Sequence, residues 1–140
     1  MNKNTPNTEH IPQILVVDDE PEMRNILREV IQTKKCVAIE ASKATEALAY
    51  MEKYRVDLVL LDIHMQGASG VDLLKVMRRR HLKIPTIIIS GFVTEELAAE
   101  IAKQGVVGIV AKPFTPNRIL EEIQKVVTLP KQASPSQHSK

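Results

Sequence analysis

The sequence predicts an α/β fold, in which five parallel strands alternate with five helices in one doubly wound domain. Three observations carry this prediction. Short Val- and Ile-rich runs recur along the chain, helically spaced apolar stripes fill the intervals, and a length of 140 residues fits a single domain.

The elements follow in order. Ile14–Val17 is the first strand, and Met23, Ile26, Leu27, Val30 and Ile31 form one helical stripe behind it. Val37–Ile39 is the second strand, followed by the stripe Ala44, Ala47, Leu48 and Met51. Leu58–Leu61 is the third, followed by Val71, Leu74 and Met77. Ile84–Ile89 is the fourth, followed by Leu97, Ala98, Ile101 and Ala102. Val106–Val110 is the fifth, followed by Ile119, Ile123, Val126 and Val127. The runs lack polar alternation, as strands buried on both faces do, and crossover helices are what join parallel strands. Ser42 and Thr94 stand where N-caps belong, Thr115-Pro116 reads as an N-cap with Pro at the first helical position, and Gly105 stands where a helix ends.

Composition narrows the class. A hydrophobic content of 44% is too high for a disordered chain. No apolar run approaches the ~20 residues of a membrane helix, and the opening MNKNTPNTEH has no apolar stretch of a secretory signal. The single cysteine, Cys36, forms no internal disulfide, which suits the reducing cytoplasm; it reads as a small buried hydrophobe opening the second strand. Residues 1–11 and 130–140 read as disordered tails around an ordered domain at 12–129. The net charge of +2 comes from those ends, because residues 11–130 carry 16 Lys/Arg and 16 Asp/Glu. That balance, with four aromatics and no Trp, argues against direct nucleic-acid binding and against a membrane surface.

In such folds ligands bind beyond the carboxyl ends of the strands. The first strand ends in Asp18-Asp19-Glu20, the third in Asp62, the fourth in Ser90-Gly91 and the fifth in Lys112-Pro113. Converging carboxylates repel unless a cation joins them, and hard oxygen donors suit Mg²⁺ held beside a phosphate. A carboxylate can also attack phosphorus to give an aspartyl phosphate, while a lysine and a hydroxyl bind phosphoryl oxygens. Taken singly, Asp18 or Asp19 also reads as a helix cap, Asp62 as a turn, Ser90-Gly91 as an ordinary strand exit and Lys112-Pro113 as a strand terminator. Their joint occurrence at four strand ends is what points to a Mg²⁺-dependent phosphate site.

With LVVDDEP after the first strand, LVLLDIHM and then Gly70 after the third, IIISG after the fourth and AKPF after the fifth, the chain resembles a response-regulator receiver domain of two-component signalling. The resemblance spans about residues 12–128. It implies a CheY-like, flavodoxin-like sheet of order 2-1-3-4-5. It also implies that Asp62 is the phospho-acceptor and that Asp18, Asp19, Asp62 and the His64 backbone carbonyl hold Mg²⁺. Ser90 and Lys112 would engage the phosphoryl group, and the Lys112–Pro113 bond would be cis. The implied partners are a sensor histidine kinase or phosphotransfer protein and a downstream protein target, with homodimerisation through helix 4, strand 5 and helix 5 as a further possibility. His64 and Phe92 stand where side chains tune loss of the phosphate in such domains.

Two positions depart from the family pattern. Ile109 stands where an aromatic switch residue is usual, and Gln66 stands where proline is common. The first puts the aromatic readout in doubt, and the second makes for a less rigid loop. The leading expectation is a stand-alone receiver that takes phosphate from a kinase phosphohistidine and acts through protein contact, not as an enzyme on an external substrate. The alternatives are a phosphorylation-independent adaptor and a Mg²⁺-dependent aspartyl-phosphate phosphohydrolase. The latter conflicts with the Asp18-Asp19-Glu20-Pro21 pattern and needs a cap domain.

Weaker signals remain. The clump Arg78-Arg79-Arg80-His81-Leu82-Lys83 reads first as a solvated helix end favoured by the helix dipole, and second as a docking patch for an acidic partner. His10 reads as a tail residue, and Tyr50 and Tyr54 as a helix pair. The Ala-rich fourth helix is either weakly packed or a partner face.

Overall fold

The computed structural model describes residues 10–65 and 69–130. The tails at 1–9 and 131–140, and Gln66, lie outside the described residues.

The chain runs β1 (Gln13–Val17), α1 (Pro21–Gln32), β2 (Val37–Ala41), α2 (Ala44–Lys53), β3 (Leu58–Asp62), α3 (Gly70–Arg79), β4 (Thr86–Ser90), α4 (Glu95–Lys103), β5 (Gly108–Ala111) and α5 (Pro116–Gln124). All strand pairs are parallel, in the order β2-β1-β3-β4-β5. The chain moves outward from β1 to β2 and then returns to β3 on the other side of β1. That reversal leaves a crevice at the carboxyl ends of β1 and β3.

Each strand sends alternate side chains to opposite faces. Ile14, Val16, Leu58, Leu60, Ile87 and Ile89 pack with Leu27 and Ile31 of α1 and Ile119 and Ile123 of α5. Leu15, Val17, Val59, Leu61 and Ile88 pack with Met51 of α2, Leu73 and Met77 of α3 and Ile101 of α4. The helices thus divide two and three between the faces. Burial on both sides explains why β3 and β4 carry no polar alternation.

The limits of β4 and β5 differ from the sequence reading. Ile84 was read into β4, but the Pro85 that follows it has no N–H, and the strand starts at Thr86. Val106 and Val107 precede β5; the Val107 amide donates to the Thr86 carbonyl (3.0 Å) before the strand proper begins at Gly108. Thr94 and Thr115 cap α4 and α5, accepting from the Leu97 and Arg118 amides. Ser42 does not cap α2. Lys43 occupies the N-cap position, and the Ser42 amide and hydroxyl both donate to the Glu46 carboxylate, at 2.7 and 3.0 Å. Ser69 caps α3, a role the sequence reading left unassigned. Gly105 leaves α4 at φ +77°, the left-handed exit that glycine tolerates.

His10, read as a tail residue, has Nε2 3.0 Å from Asp57 Oδ2. The same oxygen accepts from the Gln13 amide (2.8 Å), so Asp57 ties the start of β1 to the turn before β3. These bonds hold the Asp57 carboxyl below its ordinary range despite partial burial.

Gly70 sits against the end of β3. A Cβ there would lie 2.8 Å from Ile63 Cα and 3.1 Å from the Asp62 carbonyl oxygen. Gly70→Ala is expected to cost about 1–3 kcal/mol in urea unfolding by displacing this backbone. Gly91→Ala, whose Cβ would meet nothing closer than 3.9 Å, should change stability by less than about 0.5 kcal/mol. Equal losses in the two variants would refute the close-approach reading.

Candidate functional site

Every strand-end residue singled out in the sequence lies at the carboxyl edge of the sheet. Asp18 follows β1, Asp62 closes β3, Ser90 closes β4 and Lys112 follows β5. Asp18, Asp62 and Ser90 are buried, with 1%, 6% and 1% of their surface exposed. Asp18, Asp19 and Asp62 each offer a carboxylate oxygen within 4.8 Å of the others. Lys112 Nζ stands 3.7 Å from Asp18 Oδ2 and 3.8 Å from Asp62 Oδ2.

Local backbone holds these groups in place. Asp18 Oδ1 accepts the Glu20 amide (2.9 Å), while α1 starts from Glu20 as N-cap with no side-chain cap bond. The helix-cap reading of Asp18 is thereby corrected: its carboxylate bonds the loop before α1. Asp62 Oδ1 accepts the His64 amide (3.1 Å), and the Lys112–Pro113 peptide bond is cis. Lys112 N donates to the Ser90 carbonyl (2.9 Å), which ties the lysine to the end of β4.

Arg24 is a contributor that the sequence reading missed. From α1 it donates through Nη1 to the Asp18 main-chain oxygen (2.7 Å), and its Nε donates to Glu40 on β2 (3.2 Å). Arg28 reaches the other Glu40 oxygen at 2.8 Å. Its only sequence signal was an arginine on α1 one turn beyond the acidic pair. The pairing with Glu40 depends on sheet order.

The Ser90 hydroxyl donates to the Phe92 carbonyl (3.0 Å), and the Phe92 amide returns a bond to Ser90 Oγ (3.2 Å). His64 Nε2 lies 2.8 Å from the same Phe92 oxygen, so the loops after β3 and β4 are joined. The Phe92 ring is exposed. Ile109 faces outward on the edge strand β5, 39% exposed, beside Ile88 in register. An isoleucine there leaves no ring to be buried.

Burial pushes the Asp18 carboxyl up to about 6; the charge on Asp62 adds to the rise, while the Glu20 amide bond and Lys112 oppose it. Three carboxylates face one ammonium, all their donors are hard oxygens, and ionisation is already disfavoured at Asp18. Such a donor set fits a divalent, oxygen-seeking cation such as Mg²⁺.

A family model for the response regulator receiver domain matches residues 14–124. The chain belongs to this family. Receiver domains are the phospho-acceptor modules of two-component signalling, and the five-stranded order seen here is theirs. The chain is 34% identical over 109 residues to the nitrogen assimilation regulatory protein NtrX of Azorhizobium caulinodans, covering 76% of this chain and 24% of that one. It thus spans about a quarter of the length of that relative. It is 31% identical over 116 residues to the chemotaxis protein CheY of Halobacterium salinarum, covering 83% of this chain and 97% of that one. The response regulator TrrA of Thermotoga maritima, solved in complex with Mg²⁺ and BeF, superposes with a TM-score of 0.74 at 28% identity, covering 84% of this chain and all of that one. Among the described residues, no helix of this receiver is long and apolar enough to cross a membrane.

The raised Asp18 carboxyl sets a pH dependence. In the folded, metal-free receiver it keeps its proton to about pH 6, whereas the unfolded chain releases it near 3.8. The folded state holds more protons between these values, so this group's contribution to stability is present at the acid end and falls as pH rises through the window. Asp18→Asn is expected to remove that fall, on the order of 2–3 kcal/mol. Urea midpoints in a chelator across the window measure it, and parallel profiles for wild type and variant would refute it.

Proposed function

We propose that residues 12–129 act as a phosphorylatable switch, with Asp62 as acceptor of a phosphoryl group from the phosphohistidine of a kinase or phosphotransfer protein. The observation that carries this reading is the grouping of the buried Asp18 and Asp62 with the partly exposed Lys112 at the crevice between β1 and β3. In the transfer, a carboxylate oxygen of Asp62 attacks phosphorus as the bond from phosphorus to the imidazole nitrogen breaks. The His64 amide occupies Oδ1, which leaves Oδ2, on the Lys112 side, as the attacking oxygen.

Asp18, Asp19, Asp62 and the His64 carbonyl would hold Mg²⁺, which when bound neutralises charge on the phosphoryl oxygens. Lys112 lies within ion-pair distance of Asp62 and moves little to reach a phosphoryl oxygen. Ser90 must give up its bond to the Phe92 carbonyl to donate to the same group. That exchange frees the loop after β4 and shifts the population of the surface formed by α4, β5 and α5. The readout is contact with another protein surface, whether a downstream target or a second receiver, in the cytoplasm. Phosphorylation and loss of phosphate are self-catalysed at Asp62, with no external substrate turned over.

A second reading, a receiver-fold adaptor indifferent to phosphate, is favoured by the exposed Ile109 in place of an aromatic ring. Amide signals distinguish the two. Beryllofluoride or acetyl phosphate with Mg²⁺ is expected to shift the amides of Ser90, Phe92 and Ile109 in the wild type and to leave Asp62→Ala unchanged. Equal responses in both proteins would remove Asp62 as acceptor. Shifts that stop at Ser90, with unchanged partner affinity, would select the adaptor.

A further inference from the structure

A cavity of about 610 Å³ opens at the opposite edge of the sheet from Asp62, where the amino ends of β4 and β5 meet the carboxyl ends of α3 and α4. Its apolar lining comes from Leu74, Met77, Leu82, Ile84 and Val107. Its charged lining is entirely cationic or imidazole: Arg78, His81, Lys83 and Lys103, with no Asp or Glu among the lining residues. The basic side chains of the clump are exposed, and Arg78, His81 and Lys83 among them rim this recess.

The cations are not balanced from within. Arg78 Nη1 donates to the Lys103 carbonyl (2.6 Å), fastening the end of α3 to the end of α4. Among the described residues, neither the Lys83 nor the Lys103 ammonium has an ion-pair partner. Their neighbours do: Lys75 pairs with Glu100 at 3.3 Å and Arg80 with Glu52 at 2.7 Å. Helix dipoles account for Arg78 and Lys103 in last turns. They do not account for Lys83, which lies outside both helices, or for an apolar recess between unneutralised cations. The volume falls in the range of about 300–1,000 Å³ typical of small-molecule sites, which are largely apolar with a few convergent polar groups.

We propose that this cavity binds a small organic anion with an apolar body. The anionic group sits between Lys83 and Lys103, and the body rests on Leu74, Met77, Leu82 and Val107. This assignment is independent of the phosphorylation chemistry at the other edge.

The test uses the full chain and the probe anilinonaphthalene sulfonate, followed by amide chemical shifts. Shifts concentrated at Leu74, Met77, Leu82 and Val107 are expected. The double variant Lys83→Gln/Lys103→Gln should bind about tenfold more weakly. On the wild-type protein, uncharged phenylnaphthylamine should also bind about tenfold more weakly than the sulfonate, a comparison that needs no variant to fold. Absence of shifts at these amides, or equal affinity for the charged and uncharged probes, would overturn the proposal. So would tighter binding of a short Glu- and Leu-containing peptide across the outer faces of α3 and α4, because that would make the surface a protein-docking site.

Discussion

Asp18 and Asp62 are both nearly sealed from water, and their carboxylates stand close enough to share a cation. Two buried like charges at that separation are costly, and the neighbourhood is arranged around the cost. The Glu20 and His64 amides each give a bond to one carboxylate. Lys112 stands between the two acids, and Arg24 fixes the peptide that carries Asp18. These partners reduce the cost without removing it: burial first, and then the charge on Asp62, keep the Asp18 carboxyl raised. The crevice remains a place where added positive charge is favourable. Sheet order creates this situation, since only the return from β2 to β3 across β1 brings the first and third strand ends side by side.

The same edge couples the loops after β3 and β4. Ser90 is held by its own loop through the Phe92 carbonyl, and that oxygen is also approached by His64 from the loop after β3. Without the serine hydroxyl, the Phe92 carbonyl would be held only by the imidazole from the loop after β3. The exposed ring of Phe92 belongs to the loop that this hydroxyl holds, whereas the exposed Ile109 stands two residues further back along the sheet, in register with Ile88. Because Ile109 already faces outward, movement of Ser90 cannot be read out by burial of a ring at that position. Under the proposed switch, a surface response would run through the loop after β4 and through α4, which begins at Glu95 only a few residues beyond Ser90.

Most of this architecture was legible in the sequence, because β1, β3 and β4 are buried on both faces and so are written as apolar runs without alternation. Asp18, Asp19, Asp62, Ser90 and Lys112 were legible because they interrupt those runs at their carboxyl ends. What escaped depended on three-dimensional neighbours. Arg24 looked like any polar-face arginine until β2 brought Glu40 beside it. His10 looked like a tail residue until Asp57 was placed opposite it by the pairing of β1 with β3. Ser42 had the right residue type for a cap, but the acidic side chain of Glu46 drew its donors away from the helix. Ile84 had the right type for a strand, and the proline after it removed the donor.

The electrical neutrality of residues 11–130 conceals a separation along the sheet. Three carboxylates gather at the carboxyl edge, and four basic side chains border the recess at the amino edge. In a parallel sheet the two edges are chemically distinct, because every strand points the same way and every helix returns with its carboxyl end toward the amino edge. Helix carboxyl ends carry partial negative charge, so cations collect there for reasons of the fold alone. Helix amino ends carry partial positive charge, so acids such as Glu22, Glu46, Asp72 and Glu95 collect at the other edge for the same reason. The functional signal of the acidic edge therefore rests on acids that no helix dipole accounts for, the buried Asp18 and Asp62 crowded against each other, and at the amino edge the weight rests on Lys83, the lysine that the helix ends do not account for.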